Sequence, residues 1–180
     1  KLMQLNYFNK IYFGNGDITK ISKVLTLNGI EKPLVCSDPG LSSIGMIDKI
    51  KDLISDEFSA SFYEDTPANP TENSVNDALM IYRNNGCDGV IGFGGGSSMD
   101  LAKAVALMAN HDGNIIDYSV VEGGYRKITK TIPMIAIPTT SGTGSEVSDG
   151  ALLVMNDGRK LIFASPHLRP DAAICDPELT

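Results

Sequence analysis

Gly89-Val90-Ile91-Gly92-Phe93-Gly94-Gly95-Gly96-Ser97-Ser98-Met99-Asp100-Leu101-Ala102-Lys103 carries an apolar run through three consecutive glycines into a helical stripe. Gly89 to Phe93 reads as a buried strand. Leu101, Ala104, Val105 and Met108 define a helix that is apolar nearly all round, and so central and buried. The glycines between them have no Cβ atoms, so a phosphate can approach the backbone closely. The helix beyond offers free N–H groups and a positive dipole end. Ser97 is a candidate cap for it, with Asp100 three residues on. A tight turn packed against its neighbours would look the same. No Gly-Lys-Ser/Thr follows, so this is not a P-loop, and Met99 breaks a G-x-G-x-x-G pattern.

Outward from this unit the chain alternates between two patterns. Pro33–Cys36, Ser59–Tyr63, Met134–Ile137 and Ala172–Cys175 are short apolar runs with few charges, as in strands covered on both faces. Ile18, Ile21 and Leu25 form one helical stripe closed by Gly29. Ile44, Ile47, Lys51 and Ile54 form a second, with Lys51 snorkelling. Val75, Ala78, Leu79 and Tyr82 form a third, closed by Gly86. Alternating strands and helices predict βαβ units: a Rossmann-like α/β fold with a parallel sheet flanked by helices. Residues 110–131 are polar and irregular. Ala151–Val154 and Lys160–Phe163 flank Asn156-Asp157-Gly158, which predicts a β-hairpin near the C-terminal end.

With 180 residues the chain suits one domain, and it buries roughly 70% of its unfolded surface at this size. Composition is ordinary, with 42% hydrophobic and 21% charged residues, which excludes a disordered or collagen-like chain. A net charge of −7 without a basic cluster makes a nucleic-acid partner a poor fit. No apolar run reaches the ~18 residues of a membrane span, and the start has no signal-peptide core. The first residue is Lys1 rather than Met, as in a trimmed chain.

Cys36, Cys87 and Cys175 are odd in number and widely spaced, so they form neither a disulfide framework nor a CxxC motif. They read as core residues of a protein in a reducing cytoplasm. The two histidines, His111 and His167, stand 56 residues apart. A catalytic metal usually takes three protein ligands, so the sequence predicts no complete metal site here. Nor does either histidine have a partner in view for a hydrolase triad.

Ligands of open parallel sheets bind beyond the carboxyl ends of the strands. Two further ends carry signals. Pro138-Thr139-Thr140-Ser141-Gly142-Thr143-Gly144-Ser145-Glu146 is rich in hydroxyls that both donate and accept, as ribose, pyrophosphate and carboxamide oxygens require. Thr143 and Glu146 equally fit a capping box at a helix start. Asp38 follows the strand ending at Cys36, where a carboxylate can accept from both ribose hydroxyls. It stands 56 residues before Gly94, whereas the ordinary fingerprint places its acid ~20 residues after the glycines. It also fits a turn before Pro39-Gly40. Asn69-Pro70-Thr71 reads as a turn with Thr71 capping the third helix.

Together these stretches resemble the iron-containing (group III, metal-dependent) alcohol dehydrogenases. Gly94 to Lys103 is similar to that family's glycine motif and Ile137 to Val147 to its second signature. Asn69-Pro70-Thr71, Ser165 to Asp171 and Asp176 to Thr180 match as well, in order and with family-like spacing. The resemblance implies that residues 1–180 are a dinucleotide-binding domain. Asp38 would hold the adenosine ribose and favour NAD over NADP. Asn69, Gly95, Gly96, Ser97 and Ser98 would line the pyrophosphate region. Thr139, Thr140 and Thr143 would reach towards the nicotinamide side, with Lys160 and Leu179 closing it. Gly150 falls where some relatives place an Asn that contacts the cofactor.

Relatives are roughly twice as long, and their all-helical second half carries one Asp and three His that hold Fe(II) or Zn(II). The resemblance therefore implies no catalytic or metal residue within these 180, and an inactive, metal-free fragment. It implies an enzyme of small alcohols and aldehydes or ketones that assembles as a homodimer or higher oligomer, with Tyr7 to Phe13 as a strand joining a second copy's sheet. The alternatives are a glycerol- or polyol-type dehydrogenase, a maleylacetate-reductase-like enzyme, or a non-catalytic nucleotide-binding or assembly module.

Overall fold

A computed structural model of the chain describes residues 9–54 and 56–180. In chain order the strands are β1 (Lys10–Phe13), β2 (Pro33–Cys36), β3 (Ser61–Tyr63), β4 (Gly89–Gly94), β5 (Met134–Pro138), β6 (Gly150–Val154), β7 (Lys160–Ala164) and β8 (Ala172–Cys175). The helices are α1 (Ile21–Leu27), α2 (Pro39–Ser43), α3 (Met46–Leu53), α4 (Glu72–Asn84) and α5 (Gly96–Ala109). Among the described residues six strands form one sheet in the order β1-β8-β5-β4-β2-β3, parallel throughout. β6 and β7 form the antiparallel hairpin.

Side chains alternate across the sheet with the period of 2 that a pleated strand imposes. Val35, Ile91, Phe93, Ile135, Ile137, Ala172 and Ile174 face one layer, packed with Ile18, Ile21 and Leu25 and with Ile47 and Ile50 of α3. Leu34, Cys36, Val90 and Met134 face the opposite layer, made by α4, α5 and the inner side of the hairpin. The sheet is thus covered on both faces, which explains strands with almost no charge. On the second face the centre is lined by small residues. Met99 of α5 packs on Ala136 and Ala173, and a Cβ on Gly92 would lie 2.9 Å from the Met99 Cα. Gly92 therefore lets α5 lie directly against the sheet.

Local chemistry sets the helix boundaries. Thr71 caps α4: its hydroxyl accepts from the Ser74 amide, and the Thr71 amide donates to the Ser74 hydroxyl at 2.8 Å. The hairpin is tied to the same place, since the Val154 amide donates to the Pro70 carbonyl and the Asn156 amide to Glu72.

Several expectations are corrected. The stripe from Ile44 to Ile54 is not one helix: Ile44 is the C-cap of α2, Gly45 turns the chain with a φ of +77°, and the helix of the stripe, α3, starts only at Met46. Ile44 is 71% exposed rather than part of a buried face. No helix follows Thr143; residues 141–147 form turns, and the Thr143 hydroxyl accepts only locally, from the Ser145 amide at 3.3 Å. Ser97 does not cap α5, whose N-cap is Gly95 with no side-chain bond. The Tyr7 to Phe13 expectation is not among them: Lys10–Phe13 is the outer strand of the sheet, paired in parallel with β8, and Tyr7 and Phe8 lie outside the described residues.

Candidate functional site

The connection leaving β2 passes to the layer of α1 and α3, and the connection leaving β4 passes to the layer of α4 and α5. Neighbouring strands whose continuations part in this way leave a crevice at their carboxyl ends, the switch point at which open α/β sheets bind ligands. A cleft of about 640 Å³ lies there, lined by residues 38–41, 66–68, 95–98 and 139–140. Asp38, Gly95, Gly96, Ser97, Ser98, Thr139 and Thr140 are thereby brought together.

Asp38 is a helix cap that also reaches the cleft floor. Its Oδ1 accepts from the Leu41 amide at 3.1 Å and caps α2. Its Oδ2 accepts from Ser98 Oγ at 3.4 Å across the cleft floor. The glycine turn permits this approach. Gly94 has φ +144°, and a Cβ there would meet Ser98 Oγ at 2.6 Å and Asp38 Oδ2 at 3.0 Å. A Cβ on Gly96 would meet nothing closer than 3.7 Å. A Cβ on Gly96 would thus sit in ordinary contact with Thr143 and Ser145 without a clash, and the first turn of α5, whose N-cap makes no side-chain bond, borders the cleft. Ser97 Oγ donates to the Ala68 carbonyl and joins the turn to the opposite rim.

The hydroxyl-rich loop forms the other wall. The Thr139 amide donates to the Gly94 carbonyl at 3.0 Å, so this wall starts from the glycine turn itself. Thr143 is exposed one step beyond the cleft, beside Gly96. Asn69 and Lys160 meet each other, Lys160 Nζ donating to Asn69 Oδ1 at 2.9 Å on the rim built by α4 and the hairpin. Leu179 is not brought to the cleft. It is 7% exposed and packs in the layer with Ile18 and Ile21. A second cleft of about 500 Å³ shares Thr140 and is lined by Ile11, Phe13 and Cys175.

Two charged residues of α5 take roles that the sequence did not reveal. Lys103 is fully buried; its Nζ donates to Ser148 Oγ at 2.9 Å and to the Gly150 carbonyl at 2.8 Å. One turn earlier, Asp100 accepts from Ser145 Oγ at 2.9 Å and from the Leu152 amide at 3.1 Å. Burial pushes the Lys103 pKa down to about 8 against the pull of Asp100, Asp149 and Glu146. Burial likewise pushes Asp100 up, opposed by Lys103 and its two donors. The available signal was an acid and a base three residues apart on a helix otherwise apolar all round. Gly150 thus meets Lys103 through its carbonyl. Among the described residues no group of three or more His, Cys, Asp or Glu side chains comes together as a metal site.

A sequence profile of the iron-containing alcohol dehydrogenases matches residues 9–177. The chain belongs to the iron-containing alcohol dehydrogenase family. A curated relative within it is the 4-hydroxybutyrate dehydrogenase of Cupriavidus necator, 44% identical over 175 residues. That match covers 97% of this chain and 46% of the relative, so the chain spans about half the relative's length. Among solved structures, sulfoacetaldehyde reductase from Bifidobacterium kashiwanohense in complex with NAD+ is 33% identical with a TM-score of 0.87. It matches over 99% of this chain and 47% of its own. NADH-dependent butanol dehydrogenase A from Thermotoga maritima has a TM-score of 0.89 at 30% identity, over 99% of this chain and 45% of its own. The family assignment and the parallel α/β fold agree with the sequence reading.

Proposed function

We propose that residues 1–180 form the NAD-binding domain of a metal-dependent alcohol dehydrogenase acting on small alcohols and aldehydes or ketones. The observation that carries this is the meeting of Asp38 with the glycine turn at the sheet's switch point, beside an uncapped helix N-terminus. The residues fit such a cofactor: amides of the first turn of α5 would meet its pyrophosphate, and Asp38 would accept from the ribose hydroxyls. Thr139, Thr140 and Thr143 supply neutral hydrogen bonds on the far side, and the Lys160–Asn69 pair borders the rim. When bound, NAD+ supplies the hydride acceptor. This chain's own work is to bind it, orient it and keep a negative charge at position 38 that disfavours the 2′-phosphate of NADP.

Fe(II) or Zn(II) belongs to the same reading, held by residues outside these 180 and polarising the substrate oxygen. The substrate class includes hydroxy acids, in keeping with the named activity of the Cupriavidus necator relative. A homodimer or higher oligomer in the cytoplasm completes the proposal. Exposed Ile11 and Phe13 on the outer strand β1 support the first and the three free thiols the second. Calorimetric titration with NAD+ together with an NAD-coupled alcohol oxidation assay tests it. Binding with turnover in the full-length protein is expected. Absence of NAD+ binding would overturn it, and binding without turnover would favour the non-catalytic module.

A further inference from the structure

We infer that Asp100 and Lys103 are positioning residues that set the spacing between the two walls of the dinucleotide cleft. This inference rests on the NAD reading above and adds to it residues that do not themselves line the cleft.

The glycine turn is the start of α5, and Asp100 and Lys103 stand on the next turn of the same helix. Both reach one segment. Asp100 takes Ser145 Oγ and the Leu152 amide, and Lys103 gives to Ser148 Oγ and the Gly150 carbonyl. That segment is the continuation of the hydroxyl-rich loop carrying Thr139, Thr140 and Thr143. Four hydrogen bonds from one helical turn therefore fasten the loop's far end, while the Thr139 amide fastens its near end to Gly94. The walls between these anchors stand one methyl group's reach apart. A Cβ on Gly95 would lie 3.4 Å from Thr140 Oγ1, and one on Gly96 would lie 3.7 Å from Thr143 Cβ. A gap so narrow tolerates little drift of either wall, and a loop held in place before binding loses less freedom when a ligand arrives.

Burying an ammonium group without a carboxylate in direct contact is costly, and an apolar residue at position 103 would pack against the hairpin without that cost. Anchoring the loop gives the cation a role that a core side chain could not take over.

The consequence is specific to one half of the ligand. On the NAD reading ADP would occupy the side of Asp38 and the glycine turn, whereas the nicotinamide riboside of NAD+ would meet the loop. The test titrates the full-length protein with NAD+ and with ADP, comparing wild type, Lys103→Met and the milder double variant Ser145→Ala with Ser148→Ala. In both variants the Kd for NAD+ should rise about fivefold or more while that for ADP stays within about twofold. Should Lys103→Met fail to fold, the double serine variant decides, because it leaves α5 intact. Equal weakening of both ligands, or an unchanged NAD+ affinity in a folded variant, would overturn the positioning role. A wild type that binds ADP and not NAD+, or neither, would overturn the NAD reading itself and this inference with it.

Discussion

Asp38 Oδ2 and Ser98 Oγ lie 3.4 Å apart, joining the turn after β2 to the first turn of α5 across the carboxyl end of the sheet. Two segments separated by 60 residues in sequence thus share one hydrogen bond at the cleft floor. The contact depends on Gly94, because any Cβ there would intrude between the two groups.

Glycines that shape the fold and glycines that leave room for a ligand should separate on substitution. Gly92→Ala places a Cβ 2.9 Å from the Met99 Cα and should destabilise the domain by about 1–3 kcal/mol. Gly96→Ala would place a Cβ in ordinary contact with Thr143 at 3.7 Å and should leave the unfolding midpoint unchanged. It should still weaken NAD+ about tenfold, or ~1.4 kcal/mol, by intruding on the cleft. Denaturant melts and calorimetry on both variants check this. Equal stability loss in the two would count against the distinction.

Lys103 makes stability depend on alkaline pH. Below about pH 8 the folded and unfolded chains both carry its proton. Above that the folded chain sheds it, while the unfolded lysine holds it to about 10.4. Unfolding then takes up a proton, so stability should rise with pH, by roughly 2 kcal/mol between pH 8 and 10. Subtracting the Lys103→Met profile should remove this rise. A wild-type difference profile that is flat or falls over the same window would refute the burial argument.

The Thr71 cap should be worth about 1 kcal/mol. Thr71→Ala leaves the Ser74 amide without its acceptor. Thr71→Asp should restore most of the loss, since it keeps an acceptor beside the helix N-terminus. Urea unfolding of the two variants measures both values. No loss with alanine would show that water replaces the cap.

The sheet was legible because strands buried on both faces leave little but apolar residues, as in Gly89–Gly94 and Met134–Pro138. The cleft floor was legible because glycines without side chains and an acid at a strand end have few other uses in combination. The break at Gly45 was not, since the apolar spacing from Ile44 to Ile54 does not show that Ile44 ends the preceding helix α2. The capping pattern of Thr143 and Glu146 misled for a related reason. Gly144 takes φ +69° and turns the chain away from a helix, which no pattern of polar residues reveals. Leu179 was carried over by resemblance, but an apolar side chain on the turn Pro177–Leu179 finds the core more readily than a polar cleft. Lys103 was hidden because a buried lysine is recognisable only from the acceptors that surround it, and these lie 45 and 47 residues away.

The most direct measurement is calorimetric titration of wild type and Asp38→Asn with NAD+ and NADP+. Asparagine also caps helices well, so α2 should persist and only the charge is lost. A unit-charge repulsion at ~4 Å and an effective dielectric of ~20 is about 4 kcal/mol. Solvent at the adenosine end reduces this to about 1.4–3.5 kcal/mol, a ten- to several-hundredfold preference for NAD+. The account predicts one NAD+ per chain, that preference in wild type, and a clear narrowing in Asp38→Asn through tighter NADP+ binding. Equal affinities in wild type, or a ratio unchanged by the substitution, would contradict it and leave Asp38 as a helix cap alone.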